Sequence, residues 1–598
     1  KAPEGGEKPG GNQESLTEMA AVLGRIRQVC GERHVAPAAP LWMAEVPARL
    51  SLADIDAAAG RFDGKAWPEA ENGRVAAPIG LADDLMNQRY LPVWADFTKN
   101  GNHLFVGMPL SGKTTLLQTL VVSLALRHTP EALQIYVFSL SGRTLGSLAA
   151  LPHVGGVVYD DEAEEQKRLL NMLERESERR QELFTLASTD SYPEYCRAAR
   201  QNPELHLQPV PAIVVVIDRM QQAKELLEED DFDRLGALIR EGSGRGLYFA
   251  VTAMSMGEVP GRSQPSLHAM ALELKDRSDY GEALGRRVPP EMGEILRVKG
   301  RGIARLGDEL MEMQVALYGE SERDAQRAAE IGRLAGEMAA AWRGKRPAPI
   351  PRIPPNVVWA DLLAATEGIQ GAYRLPLGYL ALEGTPFVAD VFRDHAWLFT
   401  GPRQSGKTGA LRGAALSLRR MGAQVHVIAD VGWRDFCGEN GLTLHTQAGP
   451  ELEAFFLSLQ QTASGRNAQR KQASEPERDE LRQVFEPIAL IVDDLDQAMA
   501  RLHPSMVKYL ALTATAASGF GIPIFAAISQ QGATASWSSE LFQALAARKR
   551  GVALGGKLSD QSVFQTDLPY GPRNQALSPG YGWLIRGSDA QKLLLPRA

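Results

Sequence analysis

Two kinds of apolar pattern alternate along the 598 residues of this chain. Short, uninterrupted runs rich in β-branched residues, such as Ile135–Ser139 (IYVFS), Ala212–Ile217 (AIVVVI) and Leu247–Thr252 (LYFAVT), lack a polar face. That is the signature of strands covered on both sides. Longer segments with apolar residues at helical spacing lie between them, and the pattern also predicts helices over Ser15–Val29 and Glu322–Trp342. Strands alternating with helices predict an α/β fold with mostly parallel sheets flanked by helices. Two charged segments are read differently. Asp160–Phe184, with leucines at helical spacing, predicts a solvated amphipathic helix. Ser464–Glu480 (SGRNAQRKQASEPERDE) predicts a mobile loop.

The pattern occurs twice. AAPIGLADD (Ala76–Asp84) is echoed by RLPLGYLAL (Arg374–Leu382), and NHLFVGMPLSGKTT (Asn102–Thr115) by HAWLFTGPRQSGKTG (His395–Gly409). PAIVVVID (Pro211–Asp218) is echoed by PIALIVDD (Pro487–Asp494), and SGRGLYFAVTA (Ser243–Ala253) by SGFGIPIFAAIS (Ser518–Ser529). Four blocks in one order, with Lys113 and Lys407 about 294 positions apart, indicate duplicated domains; the period is too long for a solenoid. Between the copies, GKRPAPIPRIPPN (Gly344–Asn356) holds five prolines in thirteen residues and predicts a stiff extended connector. The expected organisation is a Gly/Pro/charge-rich, disordered start over residues 1–14 within a linker and short helix to residue 40, a first domain over 41–343, the connector over 344–356, and a second domain over 357–598.

Composition narrows the function classes. A formal charge of −7 and an isoelectric point near 5.9 argue against a surface devoted to nucleic-acid phosphates. Cys30, Cys196 and Cys437 are few, scattered and odd in number, so no disulfide framework or zinc spacing is expected, and a reducing compartment fits. No apolar run is long enough to span a bilayer. The first residues carry no signal-peptide core and no initiator Met, and are expected to be the interior of a larger protein.

The chemistry sits in the repeated blocks. G-x-x-x-x-G-K-[ST] occurs at Gly107–Thr114 and Gly401–Thr408, each after an apolar strand and before a helical stretch, the context this motif requires. The fold class expected is therefore two tandem P-loop NTPase domains of the RecA/FtsK-like kind. Gly107, Ser111, Gly112, Thr115, Gly401, Ser405 and Gly406 would form cradles of backbone N–H groups around phosphates at helix N-termini. Lys113 and Lys407 would reach the β/γ-phosphates of ATP, and Thr114 and Thr408 would offer hydroxyls to Mg²⁺. Asp218 and Asp493, each ending an apolar strand, would complete the Mg²⁺ shell. The copies then diverge. Asp494 follows Asp493 and can orient or deprotonate water, whereas Arg219 follows Asp218 and stays protonated. Asp218, Asp493 and Asp494 are the catalytic candidates, and the first domain is expected to bind ATP with little or no turnover. Thr252 and Ser529–Gln530 are candidate γ-phosphate sensors, and Arg286, Arg287 and Arg301 are the arginines weighed as trans-acting fingers.

With these residues in view, the chain resembles the FtsK/SpoIIIE class of P-loop motors, and within it the type VII secretion ATPases EccC and EssC. The likeness runs through PIGLADDLMNQ (Pro78–Gln88), LALRHTPEALQIYVFSL (Leu124–Leu140), Leu267–Arg287, Lys299–Leu317, Ser578–Pro596 and LWMAEVPARL (Leu41–Leu50), and so covers nearly everything after residue 40. The resemblance implies a membrane-anchored protein with three or four ATPase domains, of which this chain carries the last two, working on the cytoplasmic side of the cell membrane. Trailing domains of this kind are often degenerate, in keeping with Arg219. The implied partners are WXG100-type helical secreted proteins received by the last domain, other secretion-machine subunits, the preceding ATPase domain, and further copies in a hexamer. DNA and direct membrane contact are not expected. Two departures stand out: Ser139 replaces an acidic position, and both P-loops are intact. The alternatives are an FtsK-like DNA translocase, or an ATP-locked adaptor without turnover in which bound nucleotide is purely structural.

Overall fold

A computed structural model describes residues 17–34, 45–55, 60–68 and 73–597, apart from 203, 205, 209, 294–297, 320, 322, 354–356, 370 and 372. The disorder expected of residues 1–14, the start of the helix at Ser15 and the last three connector residues lie outside the described set; the first helix runs Glu18–Glu32.

Two ten-stranded sheets form the core. The first contains β1 (Ala76–Asp84), β2 (Arg89–Asp96), β3 (Asn102–Val106), β4 (Leu133–Ser139), β5 (Val154–Tyr159), β6 (Ala212–Asp218), β7 (Leu247–Ala253), β8 (Leu267–Leu272), β9 (Arg301–Leu306) and β10 (Glu309–Val315). Its order is β2-β1-β10-β9-β8-β3-β7-β6-β4-β5. The second contains β11 (Arg374–Leu380), β12 (Pro386–Asp390), β13 (Ala396–Gly401), β14 (Gln424–Ile428), β15 (Thr443–His445), β16 (Ile488–Val492), β17 (Ile524–Ser529), β18 (Arg550–Gly556), β19 (Leu577–Arg586) and β20 (Asp589–Leu594). Its order, β12-β11-β20-β19-β18-β13-β17-β16-β14-β15, repeats the first strand for strand. In each sheet the last six strands of the order run parallel, and the other four join them antiparallel. The duplication read from four blocks is thus a duplication of topology.

Covering both faces explains the continuous apolar runs. Val214 and Val216 of β6 pack into one cluster with the helix Lys113–Arg127, while Ile213, Val215 and Ile217 point into another with Leu235 and Ile239. β16 divides in the same way, with Leu490 and Val492 on one face and Ala489 and Ile491 on the other. The carboxylates Asp218 and Asp493 lie at the carboxyl ends of β6 and β16.

Two helical expectations and one loop expectation meet the structure differently. The segment expected as Glu322–Trp342 is helical over Asp324–Ala341. The amphipathic helix expected over Asp160–Phe184 runs Ala163–Leu186 and buries Leu169, Leu170, Leu173 and Phe184, but also Arg168 and Arg180. Arg180 is enclosed because its guanidinium donates to the carbonyls of Arg245, Gly246 and Pro211, where β6 and β7 begin. The loop expected over Ser464–Glu480 is a correction: it lies in two helices, Pro450–Gln472 and Glu475–Val484. Ser474 and Glu477 form a reciprocal capping box that starts the second helix. Arg466 and Arg470 anchor the first by donating to the carbonyls of Phe520, Glu486 and Ser518. Polar composition suggested a loop; local capping and distant carbonyls decided otherwise.

The connector lies along the edge of the first sheet. Tyr136 Oη donates to the Ala348 carbonyl at 2.8 Å. A Cβ on Gly155 would sit 2.3 Å from the Tyr136 ring and 2.8 Å from the Ala348 oxygen. Arg168 Nε reaches the Ala381 carbonyl at 2.8 Å, tying the helix Ala163–Leu186 to the turn after β11.

Candidate nucleotide sites

Both P-loops are turns that leave the carboxyl ends of β3 and β13 and enter the helices Lys113–Arg127 and Lys407–Arg420. Their backbones agree position by position. Gly112 and Gly406 have φ of 102° and 95°, and Leu110 and Gln404 have 66° and 60°. The second pair was not flagged by sequence, since neither residue is glycine. A side-chain-bearing residue in this region costs about 1–3 kcal/mol and marks ligand clamps, and alternation of hand turns successive N–H groups into an anion-binding nest. The leading glycines are needed for space. A Cβ on Gly107 would lie 2.6 Å from Ser111 Oγ, and one on Gly401 would lie 2.3 Å from the Leu554 carbonyl oxygen.

The two lysines curl over their own loops. Lys113 Nζ donates to the carbonyls of Gly107 (2.5 Å) and Met108 (2.8 Å), and Lys407 Nζ to those of Pro402 (2.8 Å) and Gly401 (3.3 Å). Burial lowers both lysines below their ordinary value, opposed by Asp218 in the first half and by Asp494 and Asp493 in the second. Ser111 Oγ and Ser405 Oγ, at the same place in the two loops, are buried without a hydrogen-bond partner. Buried polar atoms normally find partners, and an anion in the cradle would supply one.

The strand-terminal carboxylates meet the P-loop hydroxyls in both halves. Thr114 Oγ1 donates to Asp218 Oδ2 at 3.2 Å, across 104 residues, and Thr408 Oγ1 to Asp493 Oδ2 at 2.8 Å, across 85. Thr115, one residue further along its helix, is half-buried. Among the described residues no group of three or more metal-ligating side chains converges. Mg²⁺ at nucleotide sites usually takes only one or two protein oxygens, with phosphates and waters completing the shell, so these Thr–Asp pairs fit it.

The neighbours of these carboxylates differ between the halves. Asp218 also accepts from Thr252 Oγ1 at 2.9 Å and from Ser141 Oγ, and the Arg219 N–H donates to Thr252 Oγ1 at 2.7 Å. Asp493 accepts from the Trp433 indole N–H at 2.9 Å. Thr252 pairs with Phe105 in the sheet register, while the matching Phe399 pairs with Ala527, so Thr252 has no hydroxyl counterpart. Ser529 instead caps the helix Gln530–Ala535 by accepting from the Gly532 N–H. Ser141 and Trp433 went unnoticed in the sequence, because no motif spacing ties either to its aspartate. Partial burial, with Asp493 and Asp496 nearby, raises the Asp494 carboxyl above its ordinary value.

The arginine candidates separate. Arg301 is buried, donating to the Val46 carbonyl at 2.7 Å and pairing with Glu312 at 3.3 Å, so it is committed to the fold. Arg286 donates to the Asp308 carbonyl, and Arg287 is exposed.

Comparison with known proteins agrees with this geometry. Residues 67–258 match the model of the FtsK/SpoIIIE family. The ESX secretion system protein EccC of Thermomonospora curvata is 29% identical over 354 residues, covering 58% of this chain and 26% of that protein. The ESX secretion system protein EccC of Geobacillus thermodenitrificans is 22% identical over 598 residues, covering 98% of this chain and 38% of that protein. The chain thus spans well under half the length of these curated relatives. Among solved structures, ATPases 2 and 3 of EssC from Geobacillus thermodenitrificans superpose with a TM-score of 0.72 at 20% identity, covering 93% of this chain and all of that one. ATPases 2 and 3 of Thermomonospora curvata EccC, solved in complex with a signal sequence peptide, give 0.60 at 23% identity, covering 92% and 97%. At these identities the superpositions establish the fold: two mostly parallel sheets flanked by helices, as in tandem P-loop ATPase domains. No helix among the described residues is long and apolar enough to cross a membrane.

Proposed function

We propose, from the premise of an FtsK/SpoIIIE domain over residues 67–258, that this chain is a pair of ATP-binding modules in the trailing part of a type VII secretion motor. The modules span residues 41–343 and 357–598, joined by the proline-rich connector. The observation that carries the reading is the matched set in both halves: a left-handed P-loop, a lysine folded over it, and a Thr–Asp pair beside it. Gly107, Ser111, Gly112, Lys113, Thr114 and Thr115 in the first module, and Gly401, Ser405, Gly406, Lys407 and Thr408 in the second, hold the phosphates. Thr114 with Asp218, and Thr408 with Asp493, hold Mg²⁺, which when bound neutralises phosphate charge.

The modules divide the work. In the second, Asp494 is the water-orienting base, and its raised pKa brings it nearer the working pH of a general base. In the first, Arg219 stands at that position and has no basic lone pair to offer, so ATP is held with weak turnover or none. This first module favours the adaptor reading for itself alone. The pair couples or regulates export of a small helical protein of the WXG100 kind, on the cytoplasmic side of the membrane, within an assembly that includes the preceding ATPase domain and other machine subunits and closes as a hexamer. The acidic balance of the chain and the signal-peptide complex of a structural relative support a protein cargo over DNA.

The test is titration with ATPγS of the wild type, Lys113→Ala and Lys407→Ala, with and without a small helical secreted protein. Two binding events in the wild type, each lost in one variant, are expected. One event that survives both substitutions would sink the two-site reading, and salt-sensitive DNA binding with DNA-stimulated hydrolysis would replace the cargo.

A further inference from the structure

The loop that follows the strand next to the acid-bearing strand does the same thing in both halves with different chemistry. After β4 it brings Ser141 Oγ onto Asp218, and after β14 it brings the Trp433 indole N–H onto Asp493. We propose that Ser141 and Trp433 are positioning residues for Mg²⁺: each fixes the carboxylate that receives the metal, so that nucleotide is captured as its magnesium complex. The inference rests on the nucleotide-binding reading above and adds to it a metal-tuning role for two residues outside the P-loop signatures.

Trp433 is 1% exposed, and a buried indole N–H needs an acceptor. It takes Asp493 Oδ2, the same oxygen that Thr408 Oγ1 reaches, while the Asp494 N–H donates to Oδ1 at 3.1 Å. With donors on both oxygens, the carboxylate is held against rotation about its terminal bond. The indole is itself held. Arg412 lies over it at 5.3 Å, Phe436 meets it edge-on at 5.6 Å, and Arg412 donates to the Gly432 carbonyl at 2.9 Å. The Gly432 N–H in turn donates to Asp430 Oδ1 at 2.8 Å, which closes the turn that presents the ring.

The first half reaches the same end with hydroxyls. Ser141 and Thr114 donate to Asp218 Oδ2, and Thr252 to Oδ1. Ala527 stands where the second half would need the equivalent of Thr252. In the second half the Trp433 N–H supplies a donor to Asp493 where hydroxyls serve Asp218 in the first. Donors that orient a metal-binding carboxylate typically change metal affinity by about 10–100-fold when removed.

The experiment uses the whole chain with Trp433→Phe, which keeps a ring and deletes the N–H, and with Ser141→Ala and Ser141→Thr. ATPγS affinity is measured by calorimetry in EDTA and across a Mg²⁺ titration, with thermal unfolding as a check on folding. The expected result is about a 10-fold higher Mg²⁺ requirement at one of the two sites in Trp433→Phe and in Ser141→Ala, affinity in EDTA unchanged, and wild-type behaviour restored in Ser141→Thr. The part of the tryptophan emission lost in Trp433→Phe should respond to ATPγS with Mg²⁺ and not in EDTA. A wild-type Mg²⁺ requirement in both variants, or an equal loss of affinity with and without the metal, would overturn the proposal. If Trp433→Phe fails to fold, the Ser141 pair decides. If the wild type binds no ATPγS under any condition, the nucleotide reading itself has failed and the metal role falls with it.

Discussion

Arg219 and Asp494 occupy the same turn in the two halves, each directly after a strand-terminal aspartate and each with left-handed backbone, at φ 72° and 45°. The fold therefore presents whatever residue stands there in one geometry, and only the side-chain chemistry differs. That makes the pair a natural comparison of a base with a cation at a fixed position.

If Asp494 is the water-orienting base, Asp494→Asn should lower hydrolysis by the second half about 10²–10⁴-fold while leaving ATPγS affinity near wild type. Burial and the neighbouring Asp493 and Asp496 raise its pKa, so the basic form is lost at a higher pH than for an ordinary aspartate. Turnover should then fall on acidification before nucleotide binding does. Single-turnover hydrolysis followed against pH checks both statements. Retained turnover in Asp494→Asn would assign the role elsewhere.

The orphaned hydroxyls of the P-loops give a sharper test of the cradles. Ser405 Oγ is buried and unpartnered, so Ser405→Ala removes an unsatisfied polar atom. Stability without ligand should be unchanged or slightly higher. ATPγS affinity at the second site should fall about 5–10-fold, the equivalent of about 1–1.4 kcal/mol for one hydrogen bond. Unfolding and calorimetry on the same samples separate the two effects. Ser111→Ala should behave alike at the first site.

The parts of this architecture readable in advance are those set by short-range patterns. Glycine spacing specified both loops, because Gly107 and Gly401 have no room for a Cβ and Gly112 and Gly406 need left-handed backbone. Continuous apolar runs gave the parallel strands, because both faces of β6 and β16 are covered. What stayed hidden depends on tertiary register. Thr252 reaches Asp218 because β7 lies between β3 and β6, and Ser529, which looked equivalent by sequence, stands two positions beyond the matching Ala527 and caps a helix. Trp433 carries no motif signal in the sequence, and only the fold places its N–H on Asp493. The polar stretch Ser464–Glu480 misled for the opposite reason: its helices are secured by a capping box and by distant carbonyl acceptors that composition does not register.

The connector should be dislodged by one methyl group. At Gly155 a Cβ would meet both the Tyr136 ring and the Ala348 carbonyl, and relieving that overlap costs about 1–3 kcal/mol. The cheaper relief is to break the Tyr136–Ala348 hydrogen bond and let the extended segment lift from the sheet edge. Gly155→Ala should therefore hasten tryptic cleavage after Lys345, with both sheets still folded by circular dichroism. Unchanged protection would mean that the connector is held mainly by its other contacts.

Acid should weaken both halves well before the carboxylates titrate. Burial lowers His153, His395 and His426 to about 4, against 6.5 for the free side chain, so the folded chain keeps them neutral. Below pH 6.5 the unfolded chain binds protons that the folded chain does not. Stability is therefore full above that value and falls as pH drops toward 4, by up to about 1.4 kcal/mol per pH unit for each histidine. His395 is the most informative, since it is buried, its Nε2 lies 3.0 Å and 3.1 Å from the Thr513 and Ala514 carbonyls, and the nearby Arg548 charge adds to burial in disfavouring its protonation. Urea midpoints at pH 7 and pH 5 should differ less in His395→Gln than in the wild type, because one of the unmatched protons is gone. An identical pH dependence in the two proteins would show that His395 takes up its proton in the folded state and that burial does not set its titration.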